Sequence, residues 1–192
     1  MQATASQAAG RATVIEADVA IIGAGTMGGG IAMSFANAGI PVTLIETGEE
    51  QLKRGMGVMQ KNYEATAARG GIPADAPAKR MVLITGVVGL ENVKDADLVI
   101  EAVFETMAVK KEVFEALDKY AKPGAVLASN TSYLNIDEIA KVTKRPQDVL
   151  GMHFFSPANV MKLCEIVRAD KTAPDALTTA VSIARKIAKV PA

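Results

Sequence analysis

The sequence has a single cysteine, Cys164. One cysteine cannot form a disulfide within the chain, so we expect a reducing compartment, the cytoplasm. The 21 basic and 21 acidic side chains leave no net charge. Binding to nucleic acid or to an anionic membrane needs clustered positive charge, so neither is an expected partner. No apolar run reaches the roughly 18 residues of a membrane-spanning helix.

The chain is long enough to bury one sizeable core. It has 192 residues, of which 49% are hydrophobic, and we expect one domain. The N-terminal residues are rich in Ala, Gln and Ser and have no apolar core, so we interpret 1–16 as a flexible leader or interdomain linker and 17–192 as the folded domain. The last residues, Val190-Pro191-Ala192, look like the start of another strand, and we expect a piece of a longer protein.

The stretch from Ala17 to Glu46 has the order strand, glycine turn, helix, strand and acid. Its first apolar run stops at three glycines with the G-x-G-x-x-G spacing of a dinucleotide-binding turn: Gly23, Gly25 and Gly28. The first permits a tight turn, the second lets the backbone approach a pyrophosphate, and the third lets helix and strand pack closely. The turn residues Thr26 and Met27 open the helix, whose free N–H groups face the phosphates. Two further glycines, Gly29 and Gly30, each cost the helix about 1 kcal/mol, and a close approach of backbone or cofactor would explain them.

Glu46 ends the second strand of this motif. A carboxylate there can accept hydrogen bonds from both hydroxyls of the adenosine ribose and would repel a 2′-phosphate, so the predicted cofactor is NAD rather than NADP. Lys53 and Arg54 lie nearby in sequence and weaken this preference, because basic side chains tolerate a phosphate.

The rest of the chain alternates strands with helices. We predict strands over Met81–Thr85, Leu98–Val103 and Ala125–Ser129, with helices over Glu49–Arg69 and Met107–Tyr120. This rhythm predicts an α/β, Rossmann-like, doubly wound and mostly parallel sheet with helices on both faces. Two later strands, Asp148–Phe155 and Lys162–Val167, are separated by Pro157, and we expect them to form an antiparallel edge.

Polar residues follow the predicted strands, at the edge where ligands bind in parallel sheets. Asn130-Thr131-Ser132 offers amide and hydroxyl groups that can bond a nicotinamide ribose and a substrate oxygen, although the same residues suit a turn or a helix cap. Glu105 and Lys110 flank a helix start, and without further context they would be a solvated ion pair. Cys164 lies between Leu163 and Glu165, with no basic residue directly beside it, and is interpreted as core packing.

His153 is the only histidine. An imidazole suits a general acid or base, although a lone histidine beside two phenylalanines is more often a satisfied core residue. Glu165 lies twelve residues further on in an apolar run, at the right distance to face His153 across a strand pair. A carboxylate in an apolar strand needs a partner, and an imidazole that becomes charged during catalysis would supply one.

Four segments together resemble the NAD-binding domain of L-3-hydroxyacyl-CoA dehydrogenase: Gly23-Ala-Gly-Thr-Met-Gly28, Ser129-Asn-Thr-Ser132, His153-Phe-Phe-Ser-Pro157 and Leu163-Cys-Glu165. The resemblance extends from about Ala17 to Ala192, and the His-Phe-Phe element with its following Glu is the most specific part. The Ser-Pro-Ala-Asn form is similar to the dehydrogenase part of multifunctional hydratase/dehydrogenase chains of fatty-acid β-oxidation. Residues 1–16 would then join an upstream hydratase.

The resemblance implies an oxidoreductase that interconverts (S)-3-hydroxyacyl-CoA and 3-ketoacyl-CoA by hydride transfer with NAD. It makes His153 the catalytic base, Glu165 its partner and Ser132 the group that bonds the substrate oxygen. It implies further cofactor contacts at Glu105, Lys110, Asn130, Ser132 and Ser156, and contacts with coenzyme A at Arg69 and Asn62. Ser156 and Asn62 depart from the Asn and Ser that relatives have at these positions. No metal site is predicted.

The resemblance also implies partners. The substrate would be an acyl-CoA, and the full-length protein would be a homo-oligomer or a fusion to an enoyl-CoA hydratase. A C-terminal helical domain for substrate binding and dimerisation would lie outside this chain, so we expect NAD binding with little or no turnover from the chain alone.

Two alternatives stay open from the sequence. A catalytically silent dinucleotide-binding module would keep the glycine turn without the chemistry. A β-hydroxyacid dehydrogenase shares Gly-x-Gly-x-Met-Gly but relies on a lysine in a later helix, and the His-Phe-Phe-Ser-Pro element argues against it.

Overall fold

A single sheet runs through the part of the chain that the structure, a computed structural model, describes, which is residues 17–192. The proposed leader or linker at 1–16 lies outside these residues. The strands are β1 (Val19–Ile22), β2 (Val42–Glu46), β3 (Ile84–Val88), β4 (Leu98–Glu101), β5 (Val126–Ser129), β6 (Val149–Phe154), β7 (Leu163–Arg168) and β8 (Val190–Pro191). Their order across the sheet is β3-β2-β1-β4-β5-β6-β7-β8.

Helices connect most of the strands. They are α1 (Thr26–Asn37), α2 (Glu49–Ala68), α3 (Ala76–Met81), α4 (Met107–Tyr120), α5 (Ile136–Ala140) and α6 (Pro174–Lys186), with short 3₁₀ turns at Leu90–Val93 and Pro146–Asp148. None of the helices between residues 17 and 192 combines the length and apolar character needed to cross a bilayer.

The sheet is parallel from β3 through β6, and β7 then runs antiparallel to β6. All residues of β1, β4 and β5 are buried, as expected for parallel strands that helices cover on both faces. The predicted antiparallel pair is confirmed, but its place at the sheet edge is wrong. Val190 and Pro191 form β8, which pairs with β7 and lies outside it.

Two apolar cores lie on opposite faces of the sheet. On one face, Ile31 and Phe35 of α1 pack with residues of α2 and α6 against Ile21 and Leu44. On the other face, the core includes apolar residues of α4 and α5 packed against alternate sheet positions such as Ile22. Side chains of a strand alternate between its two faces, so β1, β2, β4, β5 and β6 each contribute to both cores. The predicted doubly wound α/β architecture is confirmed.

The predicted strand Met81–Thr85 starts too early. Met81 is the last residue of α3, and the strand covers Ile84–Val88. Pro77 lies in the first turn of α3, where a missing N–H has no cost, and Lys79 and Arg80 lie in its last turn, where positive charge is favourable. These local signals extend the helix to Met81, the first residue of the predicted strand.

Candidate active site

The glycine turn between β1 and α1 has little room for side chains at two of its three glycines. Gly23 has φ +99°, and a Cβ there would lie 2.7 Å from the Ala102 carbonyl oxygen. A Cβ on Gly28 would lie 1.8 Å from the carbonyl oxygen of Gly23. Gly25 is different, because nothing lies within 4 Å of its missing Cβ and the residue is exposed. The open face at Gly25 leaves the helix N-terminus accessible, which fits a pyrophosphate.

The glycines that continue into α1 have separate explanations. A Cβ on Gly30 would lie 3.1 Å from the Cβ of Ala158, in the loop that follows β6. The same loop is fixed by Ser34 Oγ, which donates to the Ala158 carbonyl at 3.0 Å, and by the buried Lys189, which donates to that carbonyl too. Gly29 only makes an ordinary contact with Met59. The close approach predicted for this run is therefore that of backbone, at Gly30.

Glu46 lies beside the glycine turn, at the carboxyl end of β2. One carboxylate oxygen accepts from the Ala24 N–H at 3.3 Å and the other from the Thr47 N–H at 3.0 Å. The side chain is half-buried, so part of it remains available to a ribose. Lys53 and Arg54 are exposed on α2.

Glu105 binds the loop that follows β5. Its Oε1 accepts from the hydroxyl of Thr131, from the Ser132 N–H at 2.8 Å and from the Ser132 hydroxyl at 3.3 Å. Burial acts to raise the pKa of Glu105, but these hydrogen bonds and the nearby Lys110 charge hold it below the usual value. Glu105 therefore stabilises the fold above the usual carboxyl pKa, and this contribution is lost as the pH falls through the lowered pKa.

Lys110 is not the solvated partner that its position at a helix start suggested. Its side chain has no exposed surface, and its Nζ lies 2.8 Å from Glu101 and 3.2 Å from Glu105. The predicted contact of Lys110 with a cofactor does not fit this arrangement, because the buried ammonium already binds two carboxylates. Sequence reasoning missed Glu101, although an acid at the end of an otherwise apolar strand was a signal that could have revealed it.

Asn130 joins the ends of β5 and β6. Its side-chain oxygen accepts from the Phe154 N–H at 2.9 Å, and the residue is 8% exposed. This hydrogen bond places Ser132, two residues after Asn130, at the same sheet edge as His153, one residue before Phe154. Ser156 follows two residues later and is exposed.

His153 and Glu165 face each other across the antiparallel pair of β6 and β7. The imidazole Nδ1 lies 2.7 Å from Glu165 Oε2. An ionised carboxylate can only accept, so this hydrogen bond assigns a proton to Nδ1, and in the neutral imidazole Nε2 then has a lone pair. The ring centroid of Phe155 lies 4.4 Å from that of His153, with the two rings tilted by 48°. The predicted strand-to-strand pairing of these two residues is confirmed.

Two further predicted residues lie apart from this group. Asn62 and Arg69 are exposed near the end of α2, and the 20 residues of α2 place its last turn about 30 Å along the helix from Glu46.

Cys164 is buried on the opposite side of β7 from Glu165, and burial raises the pKa of its thiol to about 12. A thiol in this state is unreactive, as expected for core packing.

Comparison with known proteins assigns the family. The family model described as 3-hydroxyacyl-CoA dehydrogenase, NAD binding domain, matches residues 18–192. A peroxisomal bifunctional enzyme from Danio rerio is 44% identical over 171 residues, which are 89% of this chain and 23% of the relative. A 3-hydroxybutyryl-CoA dehydrogenase from Clostridioides difficile is 38% identical over 173 residues, covering 90% of this chain and 62% of the relative.

Solved structures agree. The crystal structure of FadB2 from M. tuberculosis has a TM-score of 0.88 and 39% identity to this chain, and the match covers 91% of this chain and 62% of that one. This chain spans 23% to 24% of the length of the peroxisomal bifunctional relatives. Because the family model covers nearly every residue that the structure describes, the chain belongs to the 3-hydroxyacyl-CoA dehydrogenase family and contains its NAD-binding domain.

Proposed function

We propose that this chain is the NAD-binding part of a longer protein, referred to below as the whole protein, that interconverts (S)-3-hydroxyacyl-CoA and 3-ketoacyl-CoA in fatty-acid β-oxidation. The observation that carries the proposal is the His153–Glu165 hydrogen bond of 2.7 Å at the carboxyl end of β6. It lies at the same sheet edge as the glycine turn and Glu46, where an open helix N-terminus suits a dinucleotide.

The residues present fit NAD. The exposed backbone at Gly25 would face the pyrophosphate, and Glu46 would accept from the adenosine ribose. Glu105 and Ser132, with Asn130 and Ser156 nearby, would border the nicotinamide ribose. When bound, NAD would supply the acceptor for the hydride that leaves C3 of the substrate.

His153 moves the proton in this proposal. Its free Nε2 takes the proton of the 3-hydroxyl group, and Ser132 Oγ holds the substrate oxygen. Glu165 keeps Nδ1 protonated and stabilises the imidazolium that forms. In the reverse direction the same imidazolium returns the proton to the oxygen of the 3-ketoacyl group.

A paired binding and turnover measurement tests the proposal. We expect NADH fluorescence to change on titration with this chain, while NADH oxidation with acetoacetyl-CoA is absent or slow with the chain and rapid with the whole protein. A whole protein that binds NADH but never oxidises it would instead support a silent dinucleotide-binding module. No binding of NADH to the wild-type chain would contradict the proposal itself.

Replacing Glu46 by Gln tests the choice of dinucleotide. The variant loses the anionic acceptor for the ribose hydroxyls, so we expect the Kd for NADH to rise about tenfold, which is the effect of one charge-assisted hydrogen bond. The Kd for NADPH should fall, because the charge that repels the 2′-phosphate is gone. Glu49→Gln is the matched control, since it removes the same charge from an exposed site three residues away. Unchanged selectivity in Glu46→Gln would rule out this role.

The contacts with coenzyme A belong to this proposal as well. Arg69 would pair with a phosphate of coenzyme A, and Asn62 would lie beside it on α2.

We further propose the cytoplasm as the compartment, from the single cysteine, and a homo-oligomer or a fusion to an enoyl-CoA hydratase as the assembly. The relatives named above include enzymes called peroxisomal, so cell fractionation is the direct test of the compartment.

A further inference from the structure

A buried ion pair lies next to Glu105 of the candidate active site. The side chains of Glu101, at the end of β4, and Lys110, on α4, have no exposed surface. Lys110 Nζ donates to both carboxylate oxygens of Glu101, at 2.8 and 3.0 Å. Glu101 also accepts from Ser129 Oγ at 2.6 Å and from the Val103 N–H at 2.8 Å. The proposed proton transfer does not use this pair.

The same lysine connects the pair to the site. Its Nζ lies 3.2 Å from Oε2 of Glu105, whose other oxygen accepts from Thr131 and from the Ser132 N–H. A series of polar contacts therefore starts at Ser129, passes through Glu101, Lys110 and Glu105, and ends at Ser132. We call residues 129–132, which include the proposed substrate-binding hydroxyl, the Ser132 corner. These contacts hold it at both ends.

The charges around Lys110 explain why Glu101 matters for the position of Glu105. Two carboxylates share one ammonium, and Glu101 takes the two shorter contacts. Without Glu101, Glu105 would be the sole counterion of a buried cation. It would be drawn towards α4, away from the N–H and hydroxyl groups that it accepts from. Stabilisation of the fold does not by itself account for a buried ion pair, because apolar residues of similar volume often replace such pairs without loss of stability.

We propose that Glu101 is a positioning residue, which acts through Lys110 to fix Glu105 and thereby the Ser132 corner for cofactor and substrate. The inference rests on the proposed function, since Ser132 and Glu105 are the groups assigned to the nicotinamide side of the site. It concerns the preorganisation of these groups before NAD binds.

The test combines two variants of this chain. Glu101→Gln removes the charge but leaves a buried ammonium short of a counterion, which costs stability. The double change Glu101→Leu with Lys110→Met removes both charges at similar volume and is expected to fold. In both, the Ser132 amide of the cofactor-free chain should exchange its hydrogen about tenfold faster by NMR, because its acceptor is no longer held. The Kd for NADH should rise about tenfold.

Arg145→Met is the matched control. Arg145 is a largely buried cation at the other end of α4, where it donates to the carbonyls of Asp118, Ala121 and Lys122. Its loss should lower the melting temperature and leave both the Ser132 exchange and the Kd for NADH unchanged.

The outcomes separate this inference from the proposed function. If the wild-type chain binds NADH and the double variant keeps wild-type exchange at Ser132, the inference is overturned, whatever happens to the Kd for NADH. Faster exchange confined to the Ser132 corner supports it. Faster exchange spread over β4 and β5 would show a general structural role and overturn it as well.

Discussion

His153→Gln in the whole protein is expected to lower kcat for acetoacetyl-CoA reduction by about 10² to 10⁴, the contribution of a positioned acid or base. Gln fills similar space and can still donate to Glu165, but it cannot carry the proton to or from the substrate oxygen. The Kd for NADH should stay within about twofold, because the side chain acts on the substrate and not on the dinucleotide. Stopped-flow absorbance of NADH measures the rate, and fluorescence measures the Kd.

Glu165→Gln is expected to lower kcat less, by about 10² or below, since the imidazole remains but loses the charge that stabilises its protonated form. Glu138→Gln provides the control, because it removes a carboxylate from a pair with Lys141 on the surface. An enzyme with His153→Gln that reduces acetoacetyl-CoA at the wild-type rate would remove the proposed chemistry from this site.

The second large effect is expected at Gly28. An added Cβ would lie 1.8 Å from the Gly23 carbonyl oxygen, so backbone must move at the point where β1 and α1 meet. Overpacking usually costs 1 to 3 kcal/mol, and with rigid backbone on both sides we expect Gly28→Ala to lose about 3 kcal/mol or more. For a domain of this size that lowers the melting temperature by about 10 °C, measurable by circular dichroism.

Gly25→Ala separates cofactor binding from folding at the same turn. Its φ of −74° suits alanine and nothing lies within 4 Å of the new Cβ, so the fold should lose under about 1 kcal/mol. The methyl group would occupy the space proposed for the pyrophosphate, and we expect the Kd for NADH to rise at least about tenfold. Gly57→Ala, at an exposed and open position in α2, should raise stability by about 0.5 to 1 kcal/mol without affecting NADH. Equal NADH binding by Gly25→Ala and Gly57→Ala would contradict the assigned phosphate site.

The parts of the fold that follow from short-range patterns could be predicted from the sequence. The glycine turn, Glu46 and the alternation of strands and helices are local signals, and the doubly wound sheet follows from them. The facing of His153 and Glu165 was also predictable, because twelve residues suit two antiparallel strands and a connecting loop. The start of β3 was not, since Met81 fits the apolar pattern of a strand as well as the last position of a short helix.

The network behind the site depends on packing between elements. Glu101 and Lys110 are nine residues apart, and a helix start and an irregular segment lie between them, so no periodicity relates their side chains. Only the docking of α4 on the sheet makes them a buried pair. The contact of Gly30 with Ala158 spans 128 residues and has the same origin. Sequence reasoning singled out the surplus glycine but missed Glu101, and the structure supplies the partners of both.

The register of β6 and β7 determines where this part of the chain can gain or lose residues. His153 lies opposite Glu165, and Phe154 lies opposite Cys164. The eight-residue connection between the two strands does not set this pairing, but it carries Phe155, which contacts the His153 ring, and Ala158, which contacts Gly30. A single inserted residue inside β7 would turn the Glu165 carboxylate towards the apolar core and bring a neighbouring side chain opposite the imidazole. Functional relatives of this domain should therefore keep the residue count of both strands.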